Sequence, residues 1–279
     1  RRAARNYLIH APLRRVDGAV ALSEHERALL VQLGVPRERT VVLPNALDLD
    51  AFDISLRDID RRPTTDDRRD VAHAGGSVHT TTGPSSPVVR PSPAAGPTVL
   101  FVGQLVPRKG FDLLARAMPA VVRARPDARF VFVTHNLQGE AELRRIAAEG
   151  GVERHLELHY RPDEAEKLRL LRAAAVVAAP SRYEGFGIML VEAMAAGAPV
   201  ITTDVPAGNE IVRHEQNGLL VPYDDASALA ASIVRLLEDR ALAARLAAEG
   251  RRCAEARYTA DRLAADLEQW YGQIIAAAR

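Results

Sequence analysis

From residue 98 onward, short unbroken apolar runs alternate with longer segments of helical spacing. That alternation confines the chain to a parallel sheet covered on both faces. The runs are Thr98–Val102, Phe130–Val133, Leu156–Leu158, Ala174–Ala178 and Pro199–Thr202. Four of them are continuous rather than alternating, as expected where both faces of a strand face helices, while Leu156-Glu157-Leu158 alternates. Helices are expected from about Phe111, over Leu137–Glu149, and between the later strands. Hydrophobic residues make up 47% of the 279, enough for a substantial core. In sheets of this kind ligands sit beyond the carboxyl ends of the strands, and the glycine-containing turns of this chain fall there.

Three zones precede and frame this pattern. The stretch to about residue 56 reads as part of a second α/β unit. Asp17–Leu22 is a short strand, and Ser23 with Glu26 forms a capping box for a helix ending near Gly34. Thr40–Leu43 is another strand, closed by Pro44-Asn45. Residues 57–97 are dominated by Gly, Pro, Ser and Thr. They cannot bury enough apolar area to offset their ordering entropy, and read as a disordered linker or insertion. The division expected is therefore residues 1–56, an N-terminal unit; 57–97, the linker; 98–258, the α/β domain; and 259–279, a C-terminal helix. The opening on Arg1 in mid-pattern reads as a fragment of a longer chain.

Charge excludes some functions. With 37 basic and 36 acidic residues the net charge is +1, so no general nucleic-acid binder is expected. Arg1, Arg2, Arg5, Arg14 and Arg15 form a basic cluster, read as a solvated helix face. The single cysteine, Cys253, allows no intrachain disulfide, fits a reducing compartment and reads as a packing residue. No apolar run is long enough to cross a bilayer. A cytoplasmic location follows, with peripheral contact at the inner membrane face as a further expectation.

The most informative string is Pro180-Ser-Arg-Tyr-Glu-Gly-Phe-Gly-Ile-Met-Leu-Val-Glu-Ala-Met-Ala-Ala-Gly-Ala-Pro-Val200. It combines a strand end, a turn bracketed by glycines, and a helix starting near Phe186 or Gly187. The first amides of that helix, at Gly187, Ile188 and Met189, offer a phosphate site. Glu184 stands just before it and Glu192 just over one turn inside. Carboxylates beside an anion site would repel the anion, unless they serve hydroxyl groups. Two of them suit a ligand carrying sugar, diphosphate and ribose. The bland alternative is a pair of surface glutamates around a tight turn.

This string resembles the signature of family 4 glycosyltransferases, a large retaining family of the two-Rossmann (GT-B) type. Phe101-Val-Gly-Gln-Leu-Val-Pro-Arg-Lys-Gly110 is similar to the family's first donor-domain loop. Ala207–Val212 and Asn217–Pro222 are similar to its late loops, and Pro44-Asn45-Ala46-Leu47-Asp48 to its interdomain hinge. The resemblance implies a doubly wound donor domain preceded by the end of an acceptor domain whose front is absent, with the C-terminal helix packing back on that first domain. It implies transfer of a sugar from a nucleoside diphosphate sugar to an acceptor hydroxyl with retention, and no metal or other cofactor. Lys109 would hold the diphosphate, Glu184 the transferred sugar and Glu192 the ribose. Phe186, Gly187, Ile188 and Met189 would give backbone amides. Gly103, Gln104 and Arg108 would flank the phosphates, and Thr134, Tyr160 and Arg161 the base. The acceptor stays open among lipid, glycan and small molecule.

Several positions depart from the family pattern. Gln104 stands where Arg is usual, Ala46 where Gly is usual, and Val-Thr-His-Asn136 and Tyr160 where glycines are common. A neutral Gln cannot offset a diphosphate, though Arg108 is a candidate substitute. A nucleotide-sugar-binding module without catalysis, and a nucleotide-sugar epimerase of the same architecture, therefore stand beside the transferase reading. Asp48-Leu-Asp50 and Asp58-Ile-Asp60 mimic a metal motif in unsuitable contexts. His155, Glu157 and His159 are expected on one polar strand face, and His73 and His79 fall in the linker. His135, at a strand end, is the histidine to test.

Overall fold

A computed structural model describes residues 15–49, 52 and 96–277. The expected linker, all but its last two residues, lies outside the described residues, as do His73, His79, Asp58, Asp60, Asp50 and the basic cluster up to Arg14.

The elements run β1 (Ala19–Ala21), α1 (Glu24–Gln32), β2 (Thr40–Val42), β3 (Thr98–Val102), α2 (Phe111–Ala124), β4 (Arg129–Thr134), α3 (Glu140–Glu149), β5 (Leu156–Tyr160) and α4 (Glu164–Ala173). They continue with β6 (Val176–Ala179), α5 (Ile188–Ala195), β7 (Val200–Thr203), α6 (Gly208–Ile211), β8 (Leu219–Val221), α7 (Ala226–Glu238), α8 (Arg240–Arg257) and α9 (Ala260–Ala277). β3 to β8 form one parallel sheet in the order β5-β4-β3-β6-β7-β8. The chain builds outward from β3 in one direction, then crosses back to start the other half at β6. The carboxyl ends of β3 and β6 therefore flank the point where the order reverses, the place where such sheets bind ligands.

Side-chain parity explains the two layers. Val99, Phe101, Phe130 and Phe132 point to one face and pack with Leu114 and Met118 of α2 and Leu229 and Ile233 of α7. Leu100, Val131 and Val133 point to the other and pack with Leu168 and Leu171 of α4 and Leu190 and Met194 of α5. The inner strands β3, β4, β6 and β7 are buried on both sides, which is why their sequences are largely apolar runs, whereas the edge strand β5 is only partly buried and alternates.

Local differences from the sequence reading have physical causes. α3 begins at Glu140 rather than Leu137, because Asn136 starts a turn in which its side chain accepts the Gln138 amide. The late loops contain regular structure, the single turn of α6 and the edge strand β8, which pairs with β7 over Leu219–Val221. A single helical turn is too short for periodicity to reveal it, and the Leu219–Val221 run lies inside a string read only as a late loop. His155 is not on the strand. It ends a 3-10 turn, buried, with Nδ1 2.8 Å from the Ala128 carbonyl. His159 and Glu157 do meet, at 2.6 Å.

β1 and β2 form a separate parallel pair with α1 alongside. Ser23 caps α1 by accepting the Glu26 amide at 3.2 Å, but the Glu26 carboxylate accepts from Leu22 rather than completing the box at Ser23. Leu47 accepts from the Ala260 amide at 2.9 Å and donates to the Tyr258 carbonyl at 2.8 Å, tying this unit to the start of α9. α9 then lies close against Gly18, where an added Cβ would meet Ile274 at 2.3 Å.

The loop after β3 is pinned at Gly110. Its φ is +72°, and a Cβ there would lie 1.9 Å from the Pro180 carbonyl oxygen at the end of β6. Only glycine satisfies both conditions. Gly110→Ala is expected to cost about 2–4 kcal/mol, read as a lower denaturation midpoint with an unchanged slope.

Candidate functional site

The close approach at Gly110 brings the end of β3 against the end of β6. Pro107–Lys109 forms a 3-10 turn, closed by Gly110, that leads into α2. Lys109 Nζ reaches Glu184 Oε1 at 2.6 Å, across 75 residues of sequence. Ser181 Oγ donates to the same oxygen at 2.7 Å. Ser181 and Lys109 thus hold Glu184 in one orientation, and its other oxygen has no partner among the described residues.

Arg182 fastens the two loops together. Its guanidinium forms a bidentate pair with Asp112 of α2, at 2.7 and 2.8 Å, and donates to the Pro107 carbonyl at 2.6 Å. Its backbone amide donates to the Arg108 carbonyl at 2.8 Å. Burial alone would raise the Asp112 carboxyl. The Arg182 hydrogen bonds, with the Arg182 and Arg116 charges, outweigh that and hold it below the ordinary aspartate range. Arg108 itself is exposed and reaches the Tyr183 carbonyl at 3.5 Å.

The turn between Glu184 and α5 is anchored by Phe186, whose buried ring packs edge-on against Tyr258 at 5.7 Å. Burial pushes the Tyr258 hydroxyl up to about 12. Gly187 sits at φ +100° and caps α5, so the helix starts at Ile188. The amides of Ile188 and Met189 have no carbonyl one turn back to bond, and the positive end of α5 opens beside Glu184.

Glu192 has a different partner. It lies in the second turn of α5 and pairs with Lys167 of α4 at 3.2 Å. Burial raises its carboxyl, and the Lys167 charge only partly offsets this. For Lys167 burial works downward, but the Glu164 hydrogen bond and the Glu192 and Glu164 charges together overcome it and leave the ammonium above its ordinary range. Burial and the ion pair thus oppose each other at both groups, and burial prevails only at Glu192.

At the end of β4, Thr134 is buried and its hydroxyl is used within its own turn, bonding the amide and carbonyl of Asn136. The following residue, His135, is exposed, with Nε2 3.2 Å from Gln104 Nε2. Gly103 donates its amide to the Val133 carbonyl, holding Gln104 at this edge. Arg161, at φ +48°, stacks over the exposed Tyr160 ring at 5.2 Å.

The structure thus joins Lys109 to Glu184, sets Arg108 and the start of α5 beside them, and joins Gln104 to His135. It gives Glu192 its own pair. Ser181, Arg182 and Lys167 complete these contacts without having been singled out in the sequence. Ser181 lies inside the motif and was findable, whereas nothing local marks Arg182 or Lys167 as partners of Asp112 and Glu192.

The N-terminal unit also reaches this region. Glu210 of α6 accepts the amides of Glu24 and His25 at 2.7 and 3.1 Å, so a carboxylate from the large domain caps α1. A Cβ at Gly185 would lie 3.0 Å from the Glu26 carboxylate, and the His25 ring meets Tyr183 at 6.4 Å. A cleft of about 930 Å³ lies at the opposite end of the sheet, beside Thr98, Arg129 and Pro199. Arg129 pairs there with Glu157 and Arg125 with Asp127, and of the Pro180–Val200 string only its far end, Gly197 and Pro199, lines this cleft, while Lys109, Glu184 and the start of α5 do not.

Known proteins match this arrangement. A family model described as "Glycosyl transferases group 1" covers residues 96–239, just over half of the chain. Phosphatidyl-myo-inositol mannosyltransferase from Mycobacterium leprae is 39% identical over 168 residues, 60% of this chain and 44% of that protein. GDP-mannose-dependent alpha-(1-6)-phosphatidylinositol monomannoside mannosyltransferase from Mycobacterium tuberculosis is 36% identical over 180 residues, 61% of this chain and 46% of that protein. The matches span less than half the length of these relatives. Sucrose-phosphate synthase from Thermosynechococcus elongatus superposes with a TM-score of 0.74 at 28% identity, over 99% of this chain and 62% of that one. Its likeness and the parallel-sheet architecture agree with the GT-B type α/β fold expected from the sequence. The chain belongs to the glycosyl transferases group 1 family.

Proposed function

We propose that this chain carries the donor-binding machinery of a retaining hexosyltransferase that moves a sugar from a nucleoside diphosphate sugar to an acceptor hydroxyl. The observation that carries the reading is the Lys109–Glu184 pair at the reversal point of the sheet, next to the open start of α5. In transfer, the bond between the anomeric carbon and the β-phosphate oxygen breaks with its electron pair leaving on the diphosphate, the acceptor oxygen forms the new bond to the anomeric carbon, and the acceptor proton passes to the departing diphosphate oxygen. Lys109 and the α5 amides would stabilise that charge, as fixed donors in a partly desolvated site do. Glu184, already oriented by Ser181, would accept from hydroxyls of the transferred sugar. Tyr160, Arg161 and the edge formed by Gln104 and His135 would border the nucleotide.

Glu192 supports the same reading from energetics. A buried carboxylate whose burial outweighs its ion pair weakens the fold at neutral pH. Groups carried at such a cost cluster at functional sites, and ribose hydroxyls would add hydrogen bonds to a carboxylate that Lys167 alone now contacts at both oxygens among the described residues. The relatives named for mannosyl transfer to phosphatidylinositol lipids favour GDP-mannose as donor and a lipid hydroxyl as acceptor. Contact with a membrane surface would then be peripheral, since no helix among the described residues is long and apolar enough to cross a bilayer. The binding-module reading keeps one observation in its favour: Gln104 contributes no charge and is engaged by His135.

In the intact protein, Lys109→Ala and Glu184→Gln should each lower sugar transfer from GDP-mannose by roughly 10²-fold or more, with the product anomer of residual turnover, read by NMR, matching that of the donor. Unchanged turnover in both variants would remove the assignment. Measured calorimetrically, GDP should bind Glu192→Gln roughly tenfold more weakly than the parent. Its stability should move the other way. A raised folded-state pKa means that ionising Glu192 costs stability as pH rises through that value. Glu192→Gln should therefore match the parent below the glutamate range and be at least as stable at pH 7, as read from denaturation midpoints across pH.

A further inference from the structure

A second charged cleft lies away from the donor constellation and shares no residue with it. It has a volume of about 620 Å³ and is formed by α8 and the connection between α6 and β8. Arg245, Glu249, Arg252 and Arg257 follow one another at spacings of four, three and five, which places them along one side of α8. Arg213 faces them from the connection.

Both walls are held in place. A Cβ on Gly250 would come within 3.1 Å of Met194 and 3.3 Å of the Asn217 carbonyl, so glycine lets α8 lie directly on α5 and on the connection. Buried Asn217 accepts the Arg213 amide at 2.7 Å and donates to the Ile211 carbonyl at 3.0 Å. Arg245 donates to the Glu215 carbonyl at 3.0 Å and bridges the walls.

The charge is unbalanced. Four exposed guanidiniums face two carboxylates, and both carboxylates are engaged. Glu249 pairs with Arg252 at 2.7 Å, and Glu215 pairs with Arg235, outside the cleft, at 2.5 Å. Among the described residues no carboxylate pairs with Arg213, Arg245 or Arg257. Arg257 instead stacks over Tyr258 at 5.4 Å, which fixes the plane of its guanidinium. Planar guanidiniums held on fixed walls suit the tetrahedral oxygens of phosphate, with which they form paired hydrogen bonds.

We propose that this cleft binds a phosphate-bearing anion, either free in solution or presented as a lipid headgroup, at a site separate from the donor. The proposal does not depend on the transferase reading. Cys253, the only cysteine of the chain, lines the cleft and reports on its occupancy. The rate of Cys253 alkylation by N-ethylmaleimide, followed by mass spectrometry, should fall severalfold in the presence of inorganic pyrophosphate or of mixed phosphatidylglycerol–phosphatidylcholine vesicles, and not with phosphatidylcholine vesicles alone. Protection by pyrophosphate identifies a soluble ligand. Protection by the anionic vesicles alone identifies a lipid source. Arg213→Ala/Arg257→Ala, which leaves the walls intact, should abolish the protection without changing GDP binding. Protection by neither probe, or protection that persists in the double variant, would overturn the proposal.

Discussion

The site depends on how closely two loops approach at the reversal point of the sheet. The turn after β3 and the turn after β6 meet where Gly110 touches the Pro180 carbonyl. The Lys109–Glu184 and Arg182–Asp112 pairs span the same junction. These pairs join residues 70 or more positions apart, and each is only half exposed or less. Contacts of this kind are stronger than pairs on an open surface, because water screens them less. In the proposed site they would also offset the repulsion between the Glu184 carboxylate and an anion at the adjacent helix start. Glu184 can stand beside a phosphate-attracting turn because a lysine and a serine already hold one of its oxygens.

The two cores explain why this junction is rigid. Phe101, Phe130 and Phe132 lock the sheet from one side, and Phe186 pins the glycine turn into the other core against Tyr258. Tyr258 ends α8, and its carbonyl accepts from Leu47 of the N-terminal unit. The same side of the molecule therefore carries the glycine turn, the start of α9 and the small β1–β2 unit. Glu210 adds a link by capping α1. A helix start from one unit is satisfied by a carboxylate of the other, so relative movement of the two would leave amides of α1 without that acceptor. The geometry of the cleft and the position of the N-terminal unit are coupled through a small number of hydrogen bonds.

The elements legible in the sequence were those with strong local signals. Four apolar runs and one alternating segment identified five of the six strands of the large sheet, and the capping serine marked α1. The glycine motif placed the start of α5 within two residues. α6 and the 3-10 turn at His155 are single turns, too short for any period, and β8 is an apolar run of only three residues inside a string read as a loop. The start of α3 was displaced because an Asn side chain competes with the helix for backbone amides. Among site residues, Lys109 and Glu184 were recognised by their motifs, and Ser181 was available in the same string. Arg182 and Lys167 resemble any surface charge in an Arg-rich chain.

By itself the sequence determined the layered α/β class, the place of the helix start that follows the glycine turn, and which acidic and basic residues stand near it. These follow from burial on both faces of a strand and from the backbone freedom of glycine, properties of neighbouring residues. Only the tertiary structure decided who pairs with whom. Lys109 is matched to Glu184, Glu192 to Lys167 and Gln104 to His135, while Arg245 and Arg257 of α8 line an open cleft with no carboxylate paired to them among the described residues. Partner choice among charges depends on distance and burial, and both are set by chain segments far apart in sequence.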